Sequence, residues 1–170
     1  MVAGLKYVKY IKGEVNGQLY EPLLEYCFDC CDSFSLITQE PSRLSLKGKA
    51  VINGLKDHEV EVIENVTNWP GTDILPAAYI NEKGEEQRII HSLRMYKCDI
   101  FSLKILLDSS RCLYDWELPR YPGDITFYRY KETPFLISTS HKETCRVEAT
   151  DLEMDSLIVH VPGLILQDII

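Results

Sequence analysis

Long apolar runs are absent from this 170-residue chain: the tracts at 157–161 and 164–166 are broken by His160, Pro162 and Gly163. A membrane-crossing helix needs roughly 18 apolar residues in a row, so none is expected. The amino-terminal residues scatter Lys6, Lys9 and Lys12 among apolar neighbours, without the basic segment, apolar core and cleavage site of a secretory signal. Six cysteines, at 27, 30, 31, 98, 112 and 145, lack the regular spacing of a disulfide-stapled scaffold and should stay reduced in a cytoplasmic setting. No G-x-S-x-G elbow, glycine-rich phosphate loop, second C-x-x-C or calcium loop occurs. These absences predict a soluble cytoplasmic protein with no catalytic residues, metal or cofactor.

Positive charge is scarce too. Lys and Arg number 18 against 26 Asp and Glu, a net charge of −8. Nucleic acids are bound chiefly by cations that neutralise phosphates, so direct nucleic-acid binding is disfavoured and a basic protein partner is favoured. Residues 51–117 hold most of the excess, seven basic against twelve acidic, whereas residues 1–50 carry six of each. Net charge also keeps any small domain soluble, and that plainer account covers most acidic surfaces. At 45% hydrophobic and 26% charged, the composition is that of a folded globular chain.

Apolar periodicity supplies the elements. Leu5, Tyr7, Tyr10 and Ile11 predict a strand over 5–11, closed by the turn-prone segment from Gly13 to Gly17. Pro22 suits a first helical turn, and Leu23, Leu24, Cys27, Phe28 and Cys31 recur at helical steps as a core-facing stripe. Ser33 to Thr38 returns to strand alternation. Between Glu40 and Gly54, Pro41, Gly48, Gly54 and polar residues predict a surface connection with at most one short helix. Val60, Val62, Ile63 and Val66 interleave with Glu59, Glu61 and Glu64 as a half-buried strand with an acidic outer face, broken at Asn68-Trp69-Pro70-Gly71.

Residues 77–80 and 88–95 read as a hairpin with Glu82, Glu85 and Glu86 at its tip. Asp99 should cap a helix carrying Ile100, Leu103, Leu106 and Leu107. Residues 125–129 and 135–139 suit a second hairpin, and 145–149 a further strand. Asp151 opens a last helix to His160, although Leu157, Ile158 and Val159 also suit a strand. The fold class is α+β, a mixed or antiparallel sheet with two or three packed helices, in a single domain over 1–170. The proline-rich stretch 116–123 is where a subdomain boundary could fall.

Candidate chemistry is thin. Cys27, Cys30 and Cys31 form a C-x-x-C-C cluster, but on a helix, beside Asp29 and Asp32 that raise thiol pKa, and without further ligands; packing cysteines are the expectation. Ser138 to Glu143 gathers hydroxyls, His141 and a carboxylate at a strand end, where side chains commonly bond the turning backbone. His58, His91 and His160 stand singly, without a second ligand at metal-binding spacing. Trp69, Tyr114, Trp116 and Tyr121 lie beside prolines and suit either interface anchors or a core edge.

The blocks Leu113-Tyr114-Asp115-Trp116-Glu117-Leu118-Pro119, Pro122 to Arg129, Phe135-Leu136 and Ser138 to Glu143 resemble a family of small, largely uncharacterised bacterial proteins. The likeness extends to Pro22 to Cys27, Cys31 to Leu36 and Asn68-Trp69-Pro70-Gly71-Thr72. Gly123 and Lys142 stand where acidic residues are common, so the resemblance brings no carboxylate to those two positions. Some relatives carry a sporulation label that implies no chemistry. Others look like cytoplasmic immunity proteins encoded beside secreted toxins.

Together these readings predict an acidic binding protein, an immunity protein that occludes the basic site of a toxin domain. Glu61, Glu64, Glu82, Glu85 and Glu86 would supply charge, and Trp69, Tyr114 and Trp116 the anchors. The alternative is an enzyme with His141 as general base beside Ser140, Asp124 or Glu143; a structural homo-oligomer is a third class. The oligomeric state is not specified by the sequence.

Overall fold

The computed structural model describes residues 4–40, 43–70, 74, 76–130 and 132–168. Pro41, Gly71 and Thr72, which enter the sequence reading, lie outside them. In chain order the elements are β1 (Lys6–Ile11), α1 (Tyr20–Cys30), β2 (Ser33–Glu40), α2 (Leu46–Leu55), β3 (Glu59–Ile63), β4 (Ala78–Ile80) and β5 (Glu86–Arg88). There follow β6 (Ile90–Lys97), α3 (Ile100–Ser109), β7 (Gly123–Tyr130), β8 (Thr133–Thr139), β9 (Thr144–Thr150), α4 (Asp151–His160) and β10 (Leu166–Gln167). Eight strands form one antiparallel sheet in the order β10-β1-β9-β8-β7-β2-β6-β3, while β4 and β5 pair separately. The class is α+β.

Strand alternation sends side chains to two clusters, because successive residues point to opposite faces. Phe34, Leu36, Tyr96, Ile125 and Phe127 join Leu23, Leu24 and Cys27 of α1, with Leu106 and Leu157 of the later helices, in the main core. Ile37, Leu93, Met95 and Tyr128 form a second cluster with Val66, Trp69, Ile74 and Leu118. Helices therefore cover one face of the sheet, and Val66, Trp69 and Ile74 roof part of the other. Tyr128 OH donates to the Pro70 carbonyl at 3.1 Å and lies 3.2 Å from Ser35 Oγ, which pins that roof to the sheet.

Helix ends follow local chemistry. Asp99 Oδ1 accepts the amides of Phe101 and Ser102 at 2.9 Å, and Ser102 Oγ accepts the Asp99 amide, a reciprocal capping box. At α4 the cap is Thr150 rather than Asp151, because Glu153 three residues on returns the bond to the Thr150 amide. Arg129 then fastens α4 to the sheet. Its guanidinium grips both Glu153 carboxylate oxygens at 3.0 and 2.9 Å, donates to the carbonyls of Pro134 and Glu148, and covers the Phe135 ring.

Three elements differ from the sequence reading. The connection between Glu40 and Gly54 holds a ten-residue helix, α2, capped by Ser45 and burying Gly48, Val51 and Leu55. The 77–95 hairpin is split: β4 and β5 are short, and β6 leaves them to run between β2 and β3. In β3 a register shift between Glu59 and Glu61 turns Val60 outward, 67% exposed. Across the 116–123 stretch the sheet is continuous, since β7 pairs with β2, and Trp116 and Tyr121 sit in the main core. Among the described residues no helix is long and apolar enough to cross a membrane.

Candidate interaction surface and cleft

The five glutamates expected to meet a partner are all exposed. Glu61 lies on β3, the terminal strand of the sheet, whose only described strand partner is β6. Glu64 follows in the next turn, Glu82 and Glu85 sit at the β4–β5 turn, and Glu86 opens β5. Glu85 accepts from Asn81 Nδ2 at 3.2 Å; among the described residues none of the five makes an ion pair. Glu59 does. The sequence reading aimed it outward, yet it takes Arg94 Nη1 at 2.8 Å. Val60, Ile80 and Ile90 add exposed apolar surface on the same strands and hairpin.

Glu61 and Trp69 come together. Both line a groove of about 670 Å³, with Val60, Met95, Tyr130 and Glu132 among the other walls. The Trp69 ring is half-buried in the roof, and its Nε1 is buried with no hydrogen-bond partner among the described residues. A ring so held is an amphipathic anchor with one unspent donor. Glu64, Glu82, Glu85 and Glu86 do not line this groove.

Tyr114 and Trp116 are not surface anchors, which corrects the sequence reading. Trp116 is fully buried, its Nε1 donates to Tyr20 OH at 3.0 Å, and its ring packs on Tyr121 with centroids 5.3 Å apart. Tyr114 is 8% exposed and packs in the main core; burial pushes its phenol pKa up. The reason is tertiary. The Leu113 amide donates to the Val15 carbonyl at 2.9 Å, and the 3₁₀ turn Leu113–Asp115 directs these rings inward.

A second, smaller cleft of about 340 Å³ gathers chemistry that is dispersed in sequence: Gln39, His91, Glu117, Asp124 and His141, with Ile37 among the apolar walls. Asp124 adopts a left-handed φ of 48° at the start of β7, and its Oδ1 accepts the Ser140 amide at 2.8 Å. Burial first, and then Arg88, lower the pKa of His91; Gln39 Nε2 donates to its Nε2 at 3.2 Å. Of the partners suggested for His141, Asp124 shares this cleft, whereas Ser140 Oγ is buried without a partner among the described residues and Glu143 lies outside the lining. Sequence reasoning missed His91, Gln39 and Glu117 here; the one signal for His91 was its alternation with Leu93 and Met95 on β6.

The remaining histidines are engaged. His58 Nδ1 lies 2.8 Å from Asp99 Oδ2, and His160 Nδ1 lies 2.8 Å from the Ser156 carbonyl. Cys27 and Cys31 are buried, as the packing reading expects, but Cys30 is exposed. Its thiol pKa is lowered, against the expectation drawn from Asp29 and Asp32. Among the described residues no three His, Cys, Asp or Glu side chains are placed to hold a metal ion. Compared with protein-family models, curated proteins and solved structures, the chain finds no match.

Proposed function

We propose that this chain is an acidic binding protein of the immunity type, which neutralises a toxin domain in the cytoplasm by covering its basic site. The observation that carries this reading is the groove where Glu61 and Trp69 meet, on a terminal strand where Glu59 pairs with Arg94 but Glu61 makes no ion pair among the described residues. Unpaired exposed carboxylates cost little while free and gain Coulomb energy when a basic surface arrives, so they act mainly on the rate of encounter. Trp69 adds the desolvated contact that slows departure.

The test is neutralisation by the full chain of a basic toxin domain recovered from the native cell. Replacing Glu61, Glu64, Glu82, Glu85 and Glu86 with Lys is expected to slow association by about 10- to 1,000-fold at low salt, with a shallower salt dependence. Trp69→Ala is expected to raise the dissociation rate instead. An unchanged association rate in the five-fold variant removes the mechanism.

A second reading draws on the cleft, where Asp124 and His91 accompany His141. In an enzyme of this kind His141 would act as general base on a bound water. Hydrolysis of an ester or phosphodiester panel that His141→Ala abolishes, with folding intact by circular dichroism, is the outcome it requires. Turnover retained in that variant dismisses it.

A further inference from the structure

We propose that Cys30 and Cys31 form a vicinal dithiol that reacts with hydroperoxides, Cys30 as the attacking sulfur and Cys31 as the resolving one. This reading is independent of the binding role. The two sulfurs lie 3.7 Å apart at the point where α1 gives way to β2. Cys30 is the last residue of α1 and is open to solvent, whereas Cys31 is 5% exposed and backs the groove that holds Trp69. Small oxidants therefore reach Cys30 first.

The surroundings divide the two roles. A hydrogen bond from the Cys31 thiol is the largest influence on Cys30 and lowers its pKa; burial and Glu153 oppose, and Arg129 assists. The same contact and burial push Cys31 up. Thiolate fraction and access set thiol reactivity, and only Cys30 among the three clustered cysteines has both. The other exposed-side candidates are poorer, since burial raises the pKa of both Cys98 and Cys112.

The chemistry balances with a hydroperoxide as oxidant. The Cys30 thiolate attacks one peroxide oxygen, the O–O bond breaks, and the leaving hydroxide or alkoxide takes up a proton, which leaves Cys30 as sulfenic acid. Cys31 sulfur then attacks the Cys30 sulfur; the S–O bond breaks, the S–S bond forms, and water departs with the Cys31 proton. Adjacent residues hold their Cα atoms about 3.8 Å apart, closer than the roughly 4.4–6.8 Å of ordinary disulfides. Such a bond is strained and easily reduced, so the modification reverses with simple thiols.

The experiment treats the full chain with equimolar hydrogen peroxide, followed by intact mass and peptide mapping. The expected product has lost two hydrogens, maps to the Cys30–Cys31 pair, and is restored by dithiothreitol. Cys31→Ser should instead accumulate a sulfenic acid at Cys30 that dimedone traps, and Cys30→Ser should resist the same dose. Alkylation of Cys30 by iodoacetamide should outpace that of Cys112 by about tenfold or more. Equal oxidation in Cys30→Ser, a disulfide mapped to Cys98 or Cys112, or sulfinic acid at Cys30 in the unaltered chain each overturns the proposal.

Discussion

Trp116→Ala is expected to cost about 3–5 kcal/mol of unfolding free energy, the range for deleting a large aromatic from a packed core. The indole is fully buried, rests on Tyr121 and donates to Tyr20 OH, so its removal opens a cavity. It also takes from that hydroxyl its indole donor, leaving a long 3.5 Å contact to the Leu106 carbonyl and the Ser110 side chain. Tyr121 in turn donates to the Ser109 carbonyl at 2.8 Å, so one truncation loosens α1, the end of α3 and the entry to β7 together. Domains are stable by only about 5–15 kcal/mol, and the variant should sit near its unfolding midpoint under mild denaturant. Trp116→Phe, which keeps a ring but loses the N–H, should cost about 1–2 kcal/mol by breaking the hydrogen bond. Urea unfolding followed by far-ultraviolet circular dichroism measures both. A loss under about 1 kcal/mol for the alanine variant would return Trp116 to the list of surface anchors.

Gly48→Val is expected to cost about 1–3 kcal/mol through overpacking, although a helix interior ordinarily gains from losing a glycine. A Cβ at position 48 would stand 2.9 Å from the Arg120 carbonyl oxygen, a backbone atom, and 3.2 Å from Leu44. That carbonyl cannot withdraw freely, because Ser45 Oγ donates to it and the Ser45 amide donates to Pro119. Gly54 in the same helix supplies the contrast. Its added Cβ would meet Ile105 at 3.6 Å, ordinary contact, so Gly54→Ala should stabilise by about 0.5–1 kcal/mol. Thermal melts of the two variants moving in the same direction would show that the approach of α2 to Arg120 is looser than the structure has it.

What the sequence discloses depends on how local the cause is. The stripe of Leu23, Leu24 and Cys27 and the capping residue Asp99 act within a few positions, and both appear where periodicity puts them. The same periodicity places Cys27 and Cys31 four apart on the buried side and Cys30 off it; treating the three as one cluster hid that distinction. α2 is only partly legible, as at most one short helix, because Lys47, Gly48, Lys49, Asn53 and Gly54 mask the Val51 and Leu55 pair, and its docking partners, Arg120 and Ile105, lie far along the chain. An aromatic beside prolines reads alike whether it anchors a partner or a core, so Trp69 and Trp116 separated only once their surroundings were known. His91 and His141 meet only because β6 and the turn after β8 end at the same rim of the sheet.

The two margins of the sheet are unequal. One ends in β10, just two residues long, which covers only Tyr10 and Ile11 of β1 and leaves Lys6–Lys9 without a strand partner on that side among the described residues. The other ends in β3, long enough to template one, yet a second copy arriving there would bring Glu61 against Glu61. Like charges brought face to face guard such a margin against self-stacking. In that register β3 resists pairing with its own copy, while a strand rich in lysine or arginine meets no such barrier.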